Sequence, residues 1–165
     1  MKSRWLLGML LVLAACAKPN GTASEPPQTA TVPAAAAGPR VVFPDGKAVT
    51  VELVADDASR QQGLMFRDQL RPDHGMLFLF PQDGDYPFWM KNTFIPLDMI
   101  WIDSGNRIAH IAHDVQPCRA DPCPSYPPNA TARYVLEVAA GVARQHGLKD
   151  GDVVRFEEVE GIIPR

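Results

Sequence analysis

What most limits the folds open to this chain is a succession of short alternating runs, separated by turn signals, from about Arg40 to Val159. Val49-Thr50-Val51-Glu52-Leu53-Val54 puts Val49, Val51 and Leu53 on one face, the period-two pattern of a half-buried strand. Further strands are expected at Met76 to Phe80, Pro87 to Met90, Asp98 to Ile102, Arg107 to His113, Arg133 to Val138 and Val153 to Val159. Asp103-Ser104-Gly105-Asn106 has the composition of a hairpin turn, and Lys149-Asp150-Gly151-Asp152 reads as a second turn. Phe78, Phe80, Ile100, Ile102 and Ile108 carry the parity of core-facing strand residues. Only two helices fit between these runs. Asp56 or Asp57 can cap a short one through Ser59 to Gln62 that ends near Gly63. Ala139 to His146 forms the other, with Gly147 placed for a left-handed terminus and Leu148 as its apolar contact. The expected fold class is therefore mostly β: a small antiparallel β-barrel or sandwich of about seven strands with two short helices, α+β being the alternative.

The N-terminal quarter has a different character. Lys2 and Arg4 precede an apolar run from Trp5 to Val12, and Leu13-Ala14-Ala15-Cys16 follows, the pattern of a lipoprotein signal with Cys16 as the lipidated residue. The apolar run falls short of the roughly 20 residues a membrane-spanning helix needs. Cleavage before Cys16 would leave 150 residues, enough for one domain with a real core, and would remove Lys2 and Arg4, taking the formal charge from −3 to −5. Such an acidic balance without a basic cluster argues against nucleic acid as a partner. Residues 17–39 are rich in Pro, Ala and Thr and show no hydrophobic period, so residues 16–39 read as a lipidated, flexible tether to a single domain at 40–165. The address implied is the periplasmic side of the cell envelope, with the membrane as a partner through the lipid. Ala17 after the cysteine suits outer-membrane sorting in a double-membrane bacterium.

Cys118 and Cys123 then remain as an even pair within Pro117-Cys118-Arg119-Ala120-Asp121-Pro122-Cys123-Pro124, and read as a disulfide closing a tight loop. Zinc ligation and redox activity are the rival readings. Zinc lacks a second pair of ligands at metal-binding spacing, and the spacing is not that of a redox CxxC. Met65, Met76, Met90, Met99, His74, His110 and His113 offer soft ligands, but no motif gathers them, so neither a metal nor another cofactor is expected. His146 suits the C-terminal end of its helix.

The densest stretch is Tyr86 to Asp98. If Phe88 to Thr93 is extended, Phe88, Met90 and Asn92 share a face fit for a core, while Trp89, Lys91 and Thr93 share the other. An indole beside an ammonium suits a cation-π contact, or a ligand with an apolar body and an anionic or hydroxylated head. Gly63-Leu64-Met65-Phe66-Arg67, Gly75-Met76-Leu77-Phe78, Phe88-Trp89-Met90-Lys91-Asn92-Thr93, Ile95-Pro96-Leu97-Asp98 and Tyr134-Val135-Leu136-Glu137, in that order, resemble the domain-of-unknown-function family 192 over roughly residues 41–158. The cysteine element and Gly151-Asp152 resemble its exported members, among which the chain would be a lipoprotein. The resemblance implies a compact β-rich domain and no reaction. Gly147 to Val154 also resembles the helix-to-strand turn of cradle-loop barrels, an analogy of fold alone.

Lys91, Asn92, Asp98, Arg67 and Glu137 stand among strongly apolar neighbours and need partners. One reading pairs Arg67 or Lys91 with Asp98 or Glu137. The other has Trp89, Lys91, Asn92 and Asp98 line a pocket, with Arg67 across it and Tyr126 as its lid. The expected function is binding of a small or extended envelope ligand or a protein partner. The alternatives are a small hydrolase or lyase using Asp98 and Lys91 as acid and base, and a metal-handling module. No nucleophile elbow or Ser and His motif is present to make catalysis the first reading.

Overall fold

Residues 38–159 are described in the computed structural model of the protein; residues 1–15, Cys16 and nearly all of the expected tether lie outside the described residues. The chain forms β1 (Arg40–Val42), β2 (Ala48–Val54), α1 (Asp57–Gln62), β3 (His74–Gly84), β4 (Phe88–Trp89) and β5 (Leu97–Ile102). It continues with β6 (Ile108–Val115), β7 (Ser125–Tyr126), β8 (Ala132–Ala139), α2 (Val142–Gln145) and β9 (Arg155–Glu157). Seven strands make one sheet in the order β6-β5-β8-β3-β2-β1-β9, and β4 and β7 make a separate antiparallel pair. All pairings are antiparallel except β2 with β3, which the α1 crossover makes parallel.

The large sheet curls toward closure. At its two edges Ile108 N–H donates to Asp152 O at 2.8 Å, and Gly151 N–H donates to Ile108 O at 2.8 Å. Arg107 bridges Val153 just before β9. The result is a half-barrel, as the mostly β reading expects. All seven expected strands form with shifted bounds, and β1 and β7 are additional short strands. The expected helix at Ala139 to His146 contracts, because β8 runs on to Ala139 and Gly141 turns the chain at φ 90°. Its end is as expected. Leu148 N–H donates to Ala143 O and Gly147 N–H to Arg144 O, the paired bonds of a Schellman motif, with Gly147 at φ 63°.

Both faces of the central strands are covered, so β5 is buried at all six positions and reads as a continuous apolar run broken by one aspartate. The concave face packs Leu77, Leu79, Ile100, Ile102, Leu136 and Val138 against α2. The convex face packs Met76, Phe78, Met99, Trp101 and Val135 beneath Met90, Leu64 and the β4–β7 pair. The residues whose parity marks them as core are all buried, but on opposite sides: Phe78 and Phe80 under the outer layer, Ile100, Ile102 and Ile108 inside the curl.

Candidate functional site

A cleft opens on the convex face between α1 and β4. Asp56 starts α1 by accepting the Ser59 N–H at 3.0 Å, and Gly63 ends it at φ 47°. A β-carbon on Gly63 would come within 3.2 Å of the Phe78 ring, so glycine lets the helix end sit directly on that aromatic. Arg60 faces inward. Its guanidinium donates to Leu79 O at 2.7 Å and to Ala55 O, pairs with Asp57, and lies 5.3 Å from the centroid of Phe80. Phe80 in turn stacks on Tyr86 at 3.6 Å.

On the other side β7 holds β4, with Phe88 opposite Tyr126 and Trp89 opposite Ser125. The loop before β4 is pinned by the buried Trp101, whose Nε1–H donates to Tyr86 O at 2.8 Å. Phe88 meets Phe78 and Trp101 edge-to-face, at 4.9 and 5.9 Å between centroids. The cleft between these walls has a volume of about 320 Å³. Asp57, Arg60 and Gln61 give it a polar side, and Phe78, Tyr86, Phe88 and Trp89 an aromatic one.

A smaller recess of about 30 Å³ adjoins it, sharing Arg60, Gln61, Phe78, Phe88 and Trp89 as walls. Glu137 of β8 lines this recess. It is 4% exposed, and no hydrogen bond or ion pair reaches its carboxyl among the described residues. Burial alone pushes its pKa up from 4.5 to about 8. Gly75 of β3 is needed beside it, because a β-carbon there would lie 2.6 Å from Glu137 O.

The residues expected to form the site disperse. Trp89 is half exposed and lines the cleft. Lys91 reaches back over it, Nζ 5.4 Å from the ring centroid, and lies 4.0 Å from Asp121. The expected cation-π contact is present. Lys91 and Asn92 line a separate shallow hollow against the Cys118–Cys123 loop. Asn92 sits at φ 55°, which breaks the extended run, turns Asn92 outward and returns Thr93 to the interior. Arg67 is taken up by Glu52, one bond of the pair being 2.7 Å, and holds that carboxyl below its usual range. Tyr126 supports Phe88 from β7 rather than lying over a pocket.

Asp98 is fully buried and separate from the cleft. It pairs with Val138 while its neighbour Met99 pairs with Glu137, so the Asp98 and Glu137 side chains leave the sheet on opposite faces. Its oxygens accept the Ala143 N–H at the start of α2 and the Asp114 N–H, each at 2.8 Å. Asp114, at φ 51°, lies where β6 carries an extra residue against β5. Asp98 therefore ties a bulge to a helix whose own N-cap, Gly141, has no side chain to offer. None of the anticipated pairings of Arg67 or Lys91 with Asp98 or Glu137 forms among the described residues. Sequence reasoning did not find the wall made by Arg60 and Gln61; the signal for Glu137 as a site was a carboxylate inside the run Tyr134-Val135-Leu136-Glu137-Val138.

Cys118 and Cys123 are joined as a disulfide, Cα atoms 5.7 Å apart. His146 caps α2 and bonds Asp45 at 2.8 Å. Among the described residues no three His, Cys, Asp or Glu side chains gather as a metal site would require.

A family model named DUF192, described as an uncharacterized ACR, matches residues 40–156. A UPF0127 protein of Thermococcus gammatolerans is 28% identical over 112 residues, which are 67% of this chain and 68% of that one. A crystal structure from Sinorhizobium meliloti 1021, of a protein provisionally described as a transcription regulator, is 38% identical with a TM-score of 0.64 and covers 72% of this chain and 91% of its own. A protein of unknown function from Novosphingobium aromaticivorans is 34% identical, again with a TM-score of 0.64, covering 71% and 82%.

Proposed function

We propose that this chain, which belongs to the DUF192 family over residues 40–156, is a ligand-binding domain of the cell envelope that takes a small or short extended ligand into the cleft between α1 and β4. The observation that carries the reading is the cleft itself: about 320 Å³, aromatic on one wall, polar on the other, with Trp89 left 50% exposed at its edge. That is the composition of small-molecule sites, where aromatic faces supply contact area and a few polar groups set orientation. Phe88 and Tyr86 are fixed by packing and by the Trp101 bond, so a ligand would meet walls that are already ordered.

The envelope address rests on Lys2, Arg4, the apolar run and Cys16, and the Cys118–Cys123 disulfide supports it as a feature of oxidising compartments. A hydrolase acting through Asp98 draws no support from the geometry, since both oxygens of that carboxylate are held by backbone amides. The acidic formal charge of −3 likewise gives no help to a nucleic-acid role of the kind a transcription regulator, as the Sinorhizobium protein is described, would have. The direct test is a screen of small aromatic and hydroxylated compounds against the protein, read by calorimetry and repeated with Trp89→Ala. Saturable binding lost in the variant supports the cleft; hits that bind Trp89→Ala equally well would overturn it. Mass analysis of the membrane-bound form and of Cys16→Ser tests the lipid, which should be absent, with the protein released, in the variant.

A further inference from the structure

We propose that the recess at the inner end of the cleft is a subsite for a primary ammonium group, with Glu137 as counter-ion, so that the ligand class is amines with an apolar body. This rests on the cleft being a binding site and names the chemistry it selects. Glu137 lies in a central strand, 4% exposed, with no hydrogen bond or ion pair to its carboxyl among the described residues. A carboxylate in a recess walled by Phe78, Phe88 and Trp89 is unfavourable, and a cation brought beside it offsets that cost. Asp98, equally buried, shows the contrast: each of its oxygens accepts a backbone amide, and it needs no ligand.

The surroundings of Glu137 favour a cation over other heads. Phe88 and Trp89 line the recess with aromatic rings, and Met65 lines it as well. The Thr93 hydroxyl donates to Lys91 O at 3.4 Å, which leaves its oxygen free to accept. The flanking strands place Met76 and Met99 opposite Glu137, neither of which titrates. Among the described residues Arg60 is the other charged residue lining the recess, and its guanidinium is already spent on Leu79 O, Ala55 O and Asp57. Lys91 stands outside, over Trp89 and toward Asp121. The recess volume of about 30 Å³ is that of one small polar head, which admits –NH3⁺ and excludes a trimethylated one. The adjoining cleft then takes the apolar body along Phe78 and Phe88.

Burial holds a proton on Glu137 up to about pH 8, so an ammonium must displace that proton to bind. Benzylamine and benzyl alcohol, which share a body and differ in the head, are the probes, titrated into the protein at pH 6 and pH 8 with tryptophan emission as readout. Benzylamine should bind more tightly at pH 8 by about fiftyfold, since about half of Glu137 is ionised there and about one part in a hundred at pH 6, and calorimetry in two buffers at pH 6 should show about one proton released. Benzyl alcohol should bind weakly and without this rise. Glu137→Gln should reduce benzylamine to the alcohol's affinity at both pH values while leaving the alcohol unchanged. Equal, pH-independent binding of the two probes would overturn the ammonium subsite and leave the cleft standing. Binding that strengthens toward pH 6 would also overturn it, since the acid would then be acting as a hydrogen-bond donor. If neither probe nor any other compound binds, the cleft fails with it. The comparison of probes on the unsubstituted protein decides the matter even if the variant misfolds.

Discussion

Asp98 and Glu137 lie on adjacent strands, β5 and β8, at 0% and 4% exposure, and differ in what their oxygens meet. Asp98 accepts two amides that the fold would otherwise bury unpaired. Replacing it by Asn turns an NH2 group toward one of those amides, and the loss should be about 2–4 kcal/mol in urea unfolding, with no change in ligand affinity at the cleft. A variant that keeps its stability but loses binding would return Asp98 to the site. Glu137 works the other way. Its folded pKa of about 8 lies above the 4.5 of the unfolded chain, so the native state holds the proton more tightly. Stability from this group is fully present below about pH 4.5 and is lost as pH rises toward 8. Glu137→Gln should flatten that fall: its unfolding free energy in urea should match the parent's near pH 5 and exceed it at pH 9 by on the order of several kcal/mol. A parallel fall in both proteins would mean the carboxyl is solvated after all. The need of both residues for partners was legible from their apolar neighbours. Which face each takes was not, because shifting a strand pairing by one residue exchanges the faces, and that pairing is set by distant segments.

The smallest elements carry the site. β4 has two residues and β7 two, and each would be marginal alone. They persist because Phe88 is wedged between Phe78 and Trp101, and because the β6–β7 loop is shortened by the Cys118–Cys123 bond. Cys118 N–H also donates to Met90 O at 3.4 Å, tying the loop to the end of β4. Loop-closure entropy for so short a ring gives the disulfide about 2 kcal/mol. The Cys118→Ser, Cys123→Ser double variant should lose about that much stability in urea unfolding and show faster amide exchange at Phe88, Trp89 and Tyr126 than elsewhere. Uniform exchange across the large sheet would detach the loop from the cleft. The long strands and α1 were legible because apolar and β-branched runs bounded by turn signals, alternating in β2, and an Asp cap state themselves locally. β1 and β7 were not, being two or three residues paired through partners more than five positions away. The extended reading of Phe88 to Thr93 stopped at Asn92, whose left-handed φ of 55° is a conformation asparagine tolerates and local alternation cannot announce.

Across the whole molecule, β3, β5 and β8 each give alternate residues to two cores, so the half-barrel and the layer outside it share their structural centre. This explains why one mostly β sequence shows continuous apolar strands where an exposed sheet would alternate. It also bears on how the domain unfolds. If the outer layer lifted alone, Phe78, Met99 and Trp101 would be exposed, at about 1.5–3 kcal/mol each. Their sum approaches the 5–15 kcal/mol that is roughly all the stability a domain of this size has, so detachment of the layer should not be populated short of global unfolding. Trp89 and Trp101 both report on the outer layer, whereas far-UV dichroism reports on the large sheet. Urea transitions followed by the two signals should therefore coincide, and Phe78→Ala should move both together by about 3–5 kcal/mol. A tryptophan transition that precedes the loss of sheet signal would make the layer a separately opening unit. The cleft would then be a surface that forms and dissolves on a folded half-barrel, and ligand should raise the midpoint of the tryptophan transition alone.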